Sequence, residues 1–248
     1  MPTPFDVALV VVVAAAWPLL EYFVMWPRHV RAVDAGDPRA RARVYQRTLM
    51  EEWVLAAAVI ALTLASARPL ATLGLRAPEG WRLWLGAAIP LVYGSLVFTQ
   101  GRALGRKPEK LAKLREKLKP LRALVPHTPG EYRLFVPLSI TAGICEELLF
   151  RGYIVWVLQT WIGLFPAAAV SMVLFGFAHA YQGAKFGVRA FAAGVVMGVL
   201  ALVTRSIVPG MVLHALVDVG SGWITYMAMR EPGPTAGAGS RTGGTAAA

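Results

Sequence analysis

The 248-residue sequence predicts an all-α, polytopic membrane protein with about eight transmembrane helices. Three observations carry that expectation. Hydrophobic residues make up 56% of the chain, the mean hydropathy is +0.54, and apolar runs of about 17 to 25 residues, the length that crosses a hydrocarbon core as a helix, recur along it. The formal net charge of +11 comes from Arg and Lys gathered between those runs, so it reads as membrane topology and not as a nucleic-acid surface. A single cysteine, Cys145, excludes an intramolecular disulfide and a multi-cysteine zinc cluster.

The first run, Phe5 to Trp26, has no Lys or Arg ahead of it and so lacks the basic flank of a cleaved signal; it is expected to remain as a span. The loop after it carries Arg28, Arg31, Arg39, Arg41, Arg43 and Arg47 before the second run, Trp53 to Ala67. A loop poorer in positive charge, with Arg68, Pro69, Arg76 and Pro78, leads to the third run, Leu83 to Phe98. The next loop is dense in Arg and Lys from Arg102 to Arg122, and the positive-inside rule then makes both basic loops cytoplasmic and the N-terminus external. Within this loop, Leu111, Leu114, Leu118 and Leu121 fall at spacings of three and four, a basic amphipathic helix until Pro120 interrupts it, fitting either a helix lying on the anionic inner leaflet or a connector packed on the domain. Three shorter, more polar runs follow: Leu134 to Phe150, Tyr153 to Phe165 and Pro166 to His179. Phe186 to Val203 and Val208 to Met229 complete the eight, which would return the C-terminus to the outside.

The polar residues of the second half fall in three clusters. ICEELLFRGYI holds Glu146, Glu147 and Arg151; Glu147 and Arg151 are four apart and share a helix face, whereas Glu146 is turned about 100° from its neighbour and can remain free. FGFAHAYQG places Phe175 four residues before His179, and PGMVLHALVDVGSG places His214 four before Asp218. Each cluster alone also suits a packing role. Together they put six ionisable groups on apolar helices, where an ionised side chain costs about 2.5 to 3.5 kcal/mol at mid-bilayer even on an insertion scale, so convergence on one aqueous pocket is expected. Two carboxylates and two imidazoles around water are the groups that amide hydrolysis needs.

These ordered motifs, Glu-Glu-x-x-x-Arg at Glu146, Glu147 and Arg151, Phe-x-x-x-His at Phe175 and His179, and His-x-x-x-Asp at His214 and Asp218, resemble the CAAX-protease and bacteriocin-processing family of glutamic-type intramembrane proteases. The resemblance covers about Leu134 to Met229 and implies a membrane endopeptidase without a metal or other cofactor. By it, Glu146 and His179 activate water, His214 and Asp218 face the oxyanion, and Glu147, Arg151 and Phe175 support them. The eukaryotic branch has Asn at the position of Asp218; an ionised Asp cannot donate to an oxyanion, so Asp218 either keeps a proton or orients His214. The implied division is 1–130 for N-terminal spans with basic loops, 131–230 for the catalytic helical core and 231–248 for a disordered tail. Expected partners are a protein or peptide substrate and the lipid bilayer, with no nucleic acid. Richness in Ala, Arg and Gly suggests a bacterial chain, in the cytoplasmic (inner) membrane. The competing readings are a zinc-dependent membrane protease, since two His and a carboxylate suffice for catalytic zinc although no His-Glu-x-x-His helix exists, a noncatalytic scaffold or immunity protein, and a transporter.

Overall fold

A computed structural model describes residues 1–230. The expected disordered tail, 231–248, lies outside the described residues. No strand occurs among them. Eight helices are formed: α1 (Pro4–Asp34), α2 (Ala40–Ala65), α3 (Trp81–Gly105), α4 (Pro108–Leu118), α5 (Pro129–Glu146, continued by a π-helical stretch Glu147–Ile154 and by Val155–Ile162), α6 (Leu164–Ala178), α7 (Ala184–Thr204) and α8 (Val208–Met229). All but α4 reach membrane length, within one of the eight crossings expected. Five of them, α1, α2, α3, α7 and α6 with its 3-10 extension to Gln182, are both long and apolar enough to cross a membrane. The other two, α5 and α8, are made more polar by the very residues singled out above.

The fourth and fifth apolar runs, expected as separate spans, are one continuous helix. The sequence suggested a break around Arg151 and Gly152, but Glu147 pairs with Arg151 at 3.0 Å, so the charge does not force the chain out of helical geometry. The helix ends instead at Gly163, whose φ of +80° is readily adopted only without a Cβ. One crossing fewer also changes where α8 ends. Arg115 on α4 donates to the carbonyls of Ala228 at 2.7 Å and Arg230 at 2.8 Å, which fixes the C-terminal end of α8 beside the basic loops. It therefore lies opposite the start of α1, not on the same side as expected.

Both ends of the bundle are tied by polar contacts. At the basic end His29 bonds the carbonyl of Ala123 at 2.8 Å, and Arg41 pairs with Glu131 at 3.2 Å. At the other end a Thr3–Asp6 capping box starts α1. Asp6 is fully buried, yet it pairs with Arg68 at 2.9 Å and accepts from the Tyr153 hydroxyl at 2.8 Å, so α1, the end of α2 and α5 meet there without an isolated charge.

The helices that carry the polar clusters, α5 and α8, cross at a glycine. A Cβ on Gly143 would lie 2.7 Å from the Ala215 amide nitrogen and 2.8 Å from the Met211 carbonyl oxygen, both backbone atoms that cannot swing aside. Close approach of this kind is how membrane helices gain packing without a hydrophobic driving force. Gly143→Ala is expected to cost about 1 to 3 kcal/mol of stability. Gly94→Ala on α3 is the control, since its Cβ would meet Leu216 at an ordinary 3.5 Å and should be neutral or slightly stabilising. Thermal melting of the two variants in detergent distinguishes them.

Candidate active site

The site begins where α5 changes from α- to π-helical geometry, between Glu146 and Glu147. Isolated π segments inside helices are rare and concentrate at functional positions. Glu147 is fully buried, and its Oε1 lies 3.0 Å from Arg151 Nη1 while accepting a 3.0 Å hydrogen bond from His214 Nδ1 on α8. Arg151 in turn donates through Nη2 to the Gly194 carbonyl of α7 at 3.1 Å and lays its guanidinium 4.1 Å from the centre of the Phe175 ring. Phe175 packs at 4.6 Å against the His179 ring and meets the His214 ring edge-on at 5.8 Å. Four helices are thus joined through Glu147, Arg151 and Phe175.

Glu146 is turned off this face, as its 100° offset requires. Its Oε2 lies 3.8 Å from His179 Nε2 and 3.7 Å from His214 Nε2, and has no hydrogen-bond partner among the described residues. Those separations are too long for direct hydrogen bonds and fit a shared water bonded to both groups at about 2.8 Å. The tautomers follow from the other ring nitrogens. A carbonyl only accepts, so His179 Nδ1, 2.9 Å from the Phe175 carbonyl oxygen, carries a proton, and Nε2 is the ring nitrogen that faces Glu146. His214 likewise donates from Nδ1, to Glu147, with Nε2 facing Glu146.

Asp218 lies within 3.7 Å of the same His214 Nε2 but makes no hydrogen bond to it. The orienting partner of His214 is therefore Glu147, not Asp218: the Nδ1 position that an orienting acid would use is already taken, and Asp218 stands on the opposite, cavity side of the ring. Cys145, next to Glu146, is fully buried.

Two adjoining cavities, each of about 110 Å³, reach Glu146 and His179, and such a volume holds several waters. Asp218 lines one of them. Both are also walled by residues of the N-terminal half that the sequence reading passed over: Glu21 on α1, and Thr48 and Glu52 on α2. Glu21 is held by Arg47 through two 2.9 Å bonds, and Arg47 also reaches Glu51 at 3.3 Å. Glu52 is only 9% exposed, and its Oε2 has no partner. The available signal was the pair Glu51-Glu52 opening an apolar run, the same kind of signal that marked Glu146-Glu147. Among the described residues no group of three or more His, Cys, Asp or Glu side chains is arranged to hold a metal ion.

No curated protein and no solved structure matches the chain. A family model does match residues 128–220, described as type II CAAX prenyl endopeptidase Rce1-like. That span runs from the start of α5 into α8 and contains Glu146, Glu147, Arg151, Phe175, His179, His214 and Asp218. By this match the α5 to α8 core, which gathers those side chains around one water-sized gap, is similar to the Rce1-like CAAX endopeptidase family.

Proposed function

We propose that the protein is a glutamic-type intramembrane endopeptidase that hydrolyses a peptide bond of a membrane-associated or exported protein. The observation that carries this reading is the placement of one unpartnered carboxylate oxygen, Glu146 Oε2, within a water's span of Nε2 on two imidazoles from different helices. A water in that gap gives a proton to Glu146, with His179 Nε2 accepting its second hydrogen bond, and the resulting hydroxide oxygen bonds to the scissile carbonyl carbon. The carbonyl oxygen becomes an oxyanion. His214 meets it through Nε2–H when the ring is doubly protonated, with Nδ1–H held by the Glu147 carboxylate. The C–N bond then breaks, its electron pair goes to nitrogen, and Glu146 returns the proton to the leaving amine. Asp218, on the cavity side of His214, balances the imidazolium.

In this reading residues 131–230 supply the reacting groups and 1–130 supply the opposing wall of the pocket. The cytoplasmic membrane of a bacterium is the setting that the basic loops and composition support. The reaction uses Glu146 and His179 directly on water, so it requires no metal. The test is proteomics of membrane and secreted fractions from cells carrying wild-type protein or Glu146→Ala, in search of a new terminus present only with the former. Cleavage of that substrate by purified protein is expected to persist with a metal chelator; loss with chelator and recovery with zinc would overturn the mechanism in favour of zinc hydrolysis.

Glu52 gives a further expectation. A buried carboxylate oxygen without a partner is destabilising, and such groups persist where function needs them. Glu52→Gln is expected to raise the melting temperature in detergent while lowering turnover several-fold. A fall in both quantities would make Glu52 a structural residue only.

A further inference from the structure

At the end of the bundle away from the basic loops lies a larger cavity, of about 650 Å³, bounded by α5, α6, α7 and the turns that contain Arg76 and Ser206. It is separate from the water-sized cavities around Glu146, and its volume is within the roughly 300 to 1,000 Å³ typical of small-ligand pockets. Its walls divide by chemistry. Trp156, Leu164, Phe165, Met172 and Leu202 form an apolar side, and no acidic side chain lines it. Its cations are Arg76 and Arg205, both exposed, and Arg151. Arg76 spends only its Nε, on the Arg205 carbonyl at 2.7 Å, and among the described residues no acceptor engages the terminal amines of either guanidinium. Arg151 is 6% exposed and lines the same cavity, and its Nε has no acceptor.

The dimensions fit the bilayer. From Arg205 back to Gly198 on α7, and from Ile162 back to Arg151 on α5, the helices rise by about 10 to 16 Å at 1.5 Å per residue. One leaflet of the hydrocarbon core is about 15 Å deep. With Arg76 and Arg205 at headgroup level the cavity would run toward the middle of one leaflet, cationic at the mouth and greasy along its length. We propose that it holds one anionic glycerophospholipid, its phosphate on Arg76 and Arg205 and one acyl chain between α5, α6 and α7. Arginine is suited to the first contact because its planar fork meets phosphate oxygens in pairs. The acyl chain would end near Arg151 and keep bulk water from the Glu147–Arg151 pair, so the lipid would be a structural part of the protein and not a substrate.

The experiment is native mass spectrometry of the full chain released from detergent, after incubation with equal amounts of phosphatidylglycerol and phosphatidylcholine bearing the same acyl chains. One bound lipid is expected, with phosphatidylglycerol favoured by about tenfold or more, because its headgroup carries a net negative charge that phosphatidylcholine lacks. Arg76→Gln combined with Arg205→Gln should bring the ratio close to one while leaving peptide cleavage unchanged. Ala201→Phe, which narrows the apolar length, should reduce retention of both lipids. Equal retention of the two lipids by wild-type protein, or an unchanged preference in the double variant, would overturn the proposal. Either result is independent of whether the chain cleaves peptides.

Discussion

Glu146→Gln is expected to lower the cleavage rate by about 10² to 10⁴-fold, the range that general acid–base groups contribute, with the fold intact. The substitution keeps the shape and removes the carboxylate that, in this mechanism, takes a proton from water and returns it to the amine. Its cost to stability should be small, because Glu146 Oε2 makes no hydrogen bond among the described residues that the amide could spoil. Turnover, melting temperature and circular dichroism of the purified variant are the measurements. Cys145→Ala should leave cleavage unchanged, since the thiol is fully buried within the packed core. A Glu146→Gln enzyme that still turns over at near wild-type rate would refute the assignment of that residue.

Arg151→Met carries the largest expected loss of stability, about 3 to 5 kcal/mol, because it strands a fully buried carboxylate. Glu147 would keep only its bond to His214 Nδ1. The Gly194 carbonyl would lose its donor, and the Phe175 ring its cation. Replacing both charges, as Glu147→Gln with Arg151→Met, should recover much of the lost stability, since no unpaired charge remains. It should not recover activity, because a neutral amide at His214 Nδ1 no longer places a carboxylate behind the ring that faces the oxyanion. Melting temperatures of the single and double variants, set beside their turnover, separate the structural part of this pair from its chemical part. Equal instability of the two variants would show that the loss is not one of stranded charge.

Much of this arrangement was legible in the sequence because ionisable groups are conspicuous in apolar helices. Glu146, Glu147, Arg151, His179, His214 and Asp218 stand out for that reason alone, and the structure gathers them in one place. What spacing could not supply were partners distant in the chain. The rule of neighbours four apart paired His214 with Asp218, yet its hydrogen-bond partner is Glu147, 67 residues earlier and on another helix. The same blindness hid Glu52. It follows an arginine-rich stretch, where an acid reads as a partner for surface cations, and only the packing of α2 against α5 turns it into the pocket. The continuity of α5 was obscured in a different way: a charge and a glycine inside an apolar run look like a boundary until the charge is found neutralised one turn away.

The central claim is that Glu146 and His179 act on one and the same water, and a double-mutant cycle on turnover of the identified substrate tests it most directly. Groups that work as a unit lose nearly everything with the first deletion. The account predicts that Glu146→Gln combined with His179→Ala is no slower, within about threefold, than the worse single variant. Losses that multiply, each variant adding its full factor to the other, would place the two side chains in separate roles and contradict it.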